Sequence, residues 1–93
     1  MRNFEIWMEG YACNGDRGRA DKIADIEAES FDEAVEKYMN QFSPEELKQR
    51  SGPHRYNRNQ FRTEEDYNNR RSNWHIWGCA LFDNEHEARR SFG

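Results

Sequence analysis

Apolar positions alternate at the start of the chain, with Phe4, Ile6 and Met8 on one side of an extended segment and Glu5, Trp7, Glu9 and Tyr11 on the other. A period of two predicts a strand with one face in a core. A weaker alternation over residues 20–29 sets Ala24, Ile26 and Ala28 against Asp25, Glu27 and Glu29, and that acidic outer row suits an edge strand. Between the two strands, Asn14-Gly15 reads as a hairpin turn because both residues tolerate positive φ. The same loop carries Arg17, Gly18 and Arg19 and offers backbone N–H groups to an anion, but no helix follows it directly, as one does in a phosphate loop.

The period then changes. Phe31, Ala34, Val35, Tyr38, Met39 and Phe42 recur at i, i+3, i+4, i+7, i+8 and i+11, the signature of an amphipathic helix. Ser30 with Glu33 forms a capping-box pair at its start, and Ser43-Pro44 closes it, because a residue before proline is pushed out of the helical region. Ser43, Pro44 and Glu46 then supply a cap, a first-turn proline and an N3 glutamate for a short helix to about Arg50. From His54 to Arg62 there is neither an aliphatic residue nor a period, which predicts a loop, and Thr63 caps a further short helix.

Trp74 to Phe82 is the longest stretch without an acidic or basic residue. Read as one strand, it places Trp74, Ile76, Ala80 and Phe82 on one face and His75, Trp77, Cys79 and Leu81 on the other, so both faces are apolar and the strand belongs in the middle of a sheet. Asn84 and Glu87 then open a C-terminal helix, with Ala88 and Phe92 facing inward.

These elements predict a single α+β domain over residues 1–93: a small two-layer fold with a three-stranded antiparallel sheet, in the order β-β-α-insert-β-α, packed on one main amphipathic helix. The insert spans 44–73. The C-terminal helix is too short to cover the second sheet face, so Trp7, Tyr11, Trp77 and His75 need a cover from the insert, a second copy or a partner.

Composition adjusts this picture in two ways. Only 34% of residues are apolar but 14% are aromatic, and a few large rings supply burial that a sparse aliphatic set does not. The charge is uneven: residues 1–47 hold five basic against twelve acidic side chains, residues 48–74 seven against three, and residues 75–93 two against three. An acidic body thus carries a basic insert, which disfavours general nucleic-acid binding but leaves a local anion surface open. No apolar run approaches the roughly 20 residues of a membrane span, and the N-terminal residues lack the apolar core of a signal peptide. The expectation is a cytoplasmic protein with no membrane attachment, whose Cys13 and Cys79 are buried thiols rather than a disulfide.

Catalytic chemistry finds little footing. His75 and Cys79 lie about 13 Å apart on an extended strand, too far for a nucleophile–base pair. Neither C-x-x-C nor H-x-x-x-H spacing is present to hold a metal. Glu5 and Glu9 have the spacing of a solvated strand face. The expectation is therefore no enzyme, no metal and no cofactor.

The insert carries the stronger signal. Arg50, Arg55, Arg58, Arg62, Arg70 and Arg71 interleave with His54, Tyr56, Phe61, Tyr67 and Trp74. Arginine forks beside rings suit a nucleotide or single-stranded nucleic acid, and equally the anchors of a protein interface. They also suit a plain structural role in which the arginines pair with the acidic body and the rings cap the sheet. The residues singled out for partner binding are Trp7, Tyr11, His75 and Trp77 on the sheet, with Arg55, Tyr56, Arg58, Phe61 and Arg62 in the insert.

Phe4-Glu5-Ile6-Trp7-Met8-Glu9-Gly10-Tyr11, Ser30-Phe31-Asp32-Glu33-Ala34-Val35, and Trp77-Gly78-Cys79-Ala80-Leu81-Phe82-Asp83-Asn84-Glu85 with Ala88-Arg89 and Ser91-Phe92-Gly93 together resemble a family of small accessory proteins carried by bacteriophages and prophages. The resemblance covers both ends and the first helix but not the insert, and it carries over no site residues. It implies a non-catalytic binding protein directed at a host protein, such as an inhibitor of an anti-phage defence system. Two alternatives stand beside it: a nucleotide or nucleic-acid sponge that uses the insert, and a homodimeric structural accessory protein.

Overall fold

The alternating segments become strands β1 (Arg2–Met8) and β2 (Asp21–Ala28), and the apolar stretch near the C-terminus becomes two strands, β4 (Trp74–Ile76) and β5 (Cys79–Phe82). With β3 (His54–Arg55) they form one antiparallel sheet in the order β2-β1-β5-β4-β3. The structure is a computed structural model, and it describes residues 1–10 and 19–91. The expected Asn14-Gly15 turn, Tyr11, Cys13 and Phe92 lie outside the described residues.

The α+β class and the antiparallel sheet hold, but the sheet has five strands rather than three. Two features account for the difference. Trp77 and Gly78 take φ of 52° and 82°, the pair of left-handed residues that closes a two-residue type I′ hairpin, so the expected single strand folds back on itself. The insert then adds β3 at the far edge, where His54 pairs with His75 and Arg55 with Trp74.

The turn also reassigns the faces. It pairs Ile76 with Cys79 and His75 with Ala80, and residues opposite one another on an antiparallel ladder share a face. Trp74 and Ile76 therefore join Leu81, Ile6 and Val35 in one core cluster, while Ala80 and Phe82 join Ala20 and Ala88 in another. A continuous strand would have put Ala80 with Ile76; the even-length loop reverses that parity.

One sheet face is closed by α1 (Phe31–Met39), whose Ala34 and Val35 are fully buried against Phe4, Ala28 and Ile6. Ser30 accepts the Glu33 amide at 3.2 Å, as the capping pair predicts. The Glu33 carboxylate lies instead 3.4 Å from the Lys37 ammonium. Regular helix ends at Met39, three residues short of Phe42, but the chain winds on through tighter bonds from Gln41 to Tyr38 (3.1 Å) and Phe42 to Met39 (2.9 Å). Phe42 still meets Tyr38 edge-on at 5.3 Å.

The second face is covered twice. Helix α4 (Glu85–Ser91), capped by Asn84 accepting the Glu87 amide at 2.8 Å, buries Ala88 over Phe82 and Ala80. Beside it lies the insert, which starts with α2 (Pro44–Lys48) under a reciprocal Ser43–Glu46 capping box. Helix α2 ends in a Schellman closure: Ser51 N–H bonds Glu46 O at 2.8 Å, Arg50 N–H bonds Leu47 O at 3.1 Å, and Arg50 takes φ 61°. Gly52 follows, buried so tightly that a Cβ there would stand 2.8 Å from Leu47 Cδ2 and 3.0 Å from Phe42 Cγ. A 3-10 turn at Arg58–Gln60 and α3 (Glu64–Asn68) complete the insert.

Candidate functional site

The side chains singled out in the sequence separate into three groups. Trp77 stands at the tip of the β4–β5 hairpin, 58% exposed. Its backbone sits where Asn, Asp or Gly is preferred, and an L-residue with a Cβ is disfavoured there by roughly 1–2 kcal/mol. Trp77 was expected on a sheet face beside His75; the turn instead carries it out of the sheet. Trp7 is half-buried beside Phe82, and its Nε1 donates to Glu5 Oε1 at 2.6 Å.

His75 belongs to a second group, enclosed by the insert. It is 4% exposed, and Tyr56 stacks on it with ring centroids 4.4 Å apart and planes inclined by 31°. Phe61 meets Tyr56 at 5.4 Å and Tyr67 at 5.7 Å, both edge-on. The insert therefore supplies an aromatic ladder that lies over the sheet, and His75 is covered by it rather than offered to a partner.

Protonation of this group follows from its bonds. Gln60 Oε1 accepts the Asn57 amide at 2.9 Å, which turns the Gln60 amide nitrogen toward His75 Nε2 at 3.2 Å. His75 Nε2 is then the acceptor and Nδ1 carries the proton, with no partner among the described residues. His54 Nε2 is likewise buried and unpartnered, and the two imidazole centroids are 6.0 Å apart. Desolvation, with the charges of His54 and Arg50 nearby, depresses the His75 pKa to about 4. His54 is lowered too, by burial and then by Arg50.

The third group is arginine. Arg55 lies 4.6 Å above the Trp74 ring and 3.9 Å from Asp32, whose Oδ1 accepts Trp74 Nε1–H at 2.7 Å. Arg58 pairs with Glu64 at 3.3 Å and sits 5.5 Å from the Tyr67 ring, while Arg70 stacks on that ring at 4.0 Å. Arg62 is exposed and makes no ion pair among the described residues. Trp74 is buried at 3% exposure, so it does not stack on a ligand.

The hairpin changes the reason for setting aside a Cys79–His75 pair. The two residues are on neighbouring rungs rather than about 13 Å apart, but they leave opposite faces of the sheet: Cys79 pairs with Ile76, His75 with Ala80. Among the described residues no three His, Cys, Asp or Glu side chains gather as a metal set, and no helix is long and apolar enough to cross a membrane.

Sequence reasoning did not assemble one further feature. A cleft of about 190 Å³ opens over Ala80 between the insert and α4, walled by Tyr56 and Phe61, by Arg70, Arg71 and Ser72, and by Glu9 and Ser91. The Arg70-Arg71 pair within a basic insert was its one local signal; Glu9 and Ser91 come from opposite ends of the chain. Comparisons with family models, with curated proteins and with solved structures give no match.

Proposed function

We propose that this chain is a non-catalytic binding protein that presents Trp77 to a partner protein. The observation that carries the reading is the combination, at one residue, of left-handed backbone (φ 52°) and 58% exposure of an indole. Backbone strain at a residue whose indole stays mostly exposed points to a contact outside the chain. An indole on a two-residue turn is also a rigid anchor with few torsions to freeze on binding, which is how tryptophan acts at interface hot spots. Arg58 and Arg62 are exposed elsewhere on the insert and offer guanidinium groups of the kind interfaces also use. The resemblance to phage accessory proteins supports a component of a bacterial host, such as a defence protein, as the partner.

The test is retention of host proteins by the immobilised chain, by Trp77→Asn and by Arg58→Ala/Arg62→Ala. Trp77→Asn keeps the turn, so a protein held by the native chain and lost from the folded Asn variant supports the reading. Equal retention by both removes Trp77 from the interface.

A further inference from the structure

The cleft over Ala80 has a chemistry that the hairpin tip does not use. Its wall carries the rings of Tyr56 and Phe61, set edge-on to each other, and Ala80 is small. On the rim, Arg70 donates through Nη1 to the Tyr67 carbonyl at 2.7 Å, but its Nε is buried without a hydrogen-bond partner among the described residues. Buried as it is, that Nε is not itself open to a ligand, but the guanidinium brings its positive charge to the cleft wall, and a carboxylate or phosphate is the partner that guanidinium groups match best. Arg71 is exposed at the same rim, and neither arginine makes an ion pair among the described residues.

Among the described residues Glu9 is the one carboxylate lining the cleft, and its oxygens are already engaged. Oε1 accepts the Ala80 amide at 2.8 Å and Oε2 accepts the Ser91 hydroxyl, tying β1 to α4. It therefore forms part of the far wall and makes no ion pair with either arginine. On the other side of the Arg71-Ser72 ridge is a larger cleft of about 320 Å³ lined by Asp32, Asp83 and Glu87, whose acidic walls repel an anion and so do not compete for one.

We propose that the cleft over Ala80 binds a small, flat anion: a carboxylate or phosphate carried on a compact aromatic body, its charge on Arg70 and Arg71 and its ring against Tyr56 and Phe61. A cavity of about 190 Å³ admits one ring and its anionic group, whereas whole drug-sized ligands occupy roughly 300–1,000 Å³. The site is built from groups other than Trp77, so it stands or falls separately from the partner interface.

Titration of the full chain with benzoate, its neutral isostere benzamide and inorganic phosphate, followed by backbone amide NMR, tests the proposal. Benzoate is expected to shift the Ala80, Tyr56 and Ser91 amides saturably and to bind at least about tenfold more tightly than benzamide, the factor a charge-assisted bond supplies. Inorganic phosphate is expected to shift the same amides more weakly, for want of a ring. Arg71→Gln, an exposed change, is expected to weaken benzoate about tenfold with no change in thermal midpoint. Arg70→Gln is expected to weaken it further. Benzamide binding as well as benzoate, or benzoate shifts that persist unchanged in Arg71→Gln, would overturn the proposal.

Discussion

The two faces of the sheet are built from different materials. Against α1 the contacts are mainly aliphatic: Ile6, Val35, Ile76 and Leu81 are 2% exposed or less. Trp74, the large polar-tipped ring in that cluster, has its N–H on Asp32. Against α4 and the insert, the cover is rings, small residues and charge, and it leaves His75 Nδ1, His54 Nε2 and Arg70 Nε without partners among the described residues. Among the described residues the first face leaves no buried polar side chain unpaired, although the cleft of about 320 Å³ opens along its edge at Asp32 and Trp74; the second keeps unsatisfied polar groups beside the cleft over Ala80. Stability is concentrated on the first face and binding chemistry on the second, because close packing and an accessible ligand site make opposite demands on the same surface.

The largest expected effect breaks the first face. Leu81 is completely buried at the centre of the sheet, and Leu81→Ala is expected to lower unfolding free energy by about 3–4 kcal/mol in urea titration, transfer and cavity terms together. A loss under about 1 kcal/mol would mean that the α1 face is not the main core.

Acid is expected to act on the second face. The folded pKa of His75, about 4, lies below its ordinary 6.5, so the unfolded chain binds the proton first. The His75 contribution is intact above pH 6.5 and is lost as pH falls toward 4, to a limit of about 3 kcal/mol. His54 shifts in the same direction. His75→Phe retains a ring against Tyr56 but cannot titrate, so the stability difference between it and the native chain should change over that window and stay flat above it. A parallel pair of pH profiles would contradict the depressed pKa.

A smaller effect is expected where the insert is anchored. Gly52→Ala forces Leu47 and Phe42 aside and is expected to cost about 1–2 kcal/mol by thermal or urea unfolding. If the insert is a separable cover, hydrogen exchange should accelerate in residues 54–61 while β1 and α1 keep their protection.

Much of this architecture is legible in the sequence, because helices announce themselves locally. Ser30, Ser43, Thr63 and Asn84 all cap the helices expected of them. The Phe31-to-Phe42 periodicity names the face that is buried, although the last turn tightens. The β4–β5 hairpin is not legible: tryptophan is a poor turn residue, so Trp77 reads as part of an apolar run, and Gly78 was the only sign of a break. Strand β3 is two residues long and exists through its pairing with His75 and Trp74, which no local pattern encodes. The same limit applies to the cleft. Tyr56 and Phe61 stand out within the insert, but their meeting with Glu9, Arg70 and Ser91 depends on strand order.

The central claim is that Trp77 is kept for contact and not for folding, and the stability of Trp77→Asn tests it most directly. Asparagine tolerates the left-handed conformation, so the account predicts a variant more stable than the native chain by about 1 kcal/mol in reversible urea unfolding. A variant less stable by a similar amount would show that the indole is part of what holds the hairpin together, and would contradict its assignment as an outward-facing anchor.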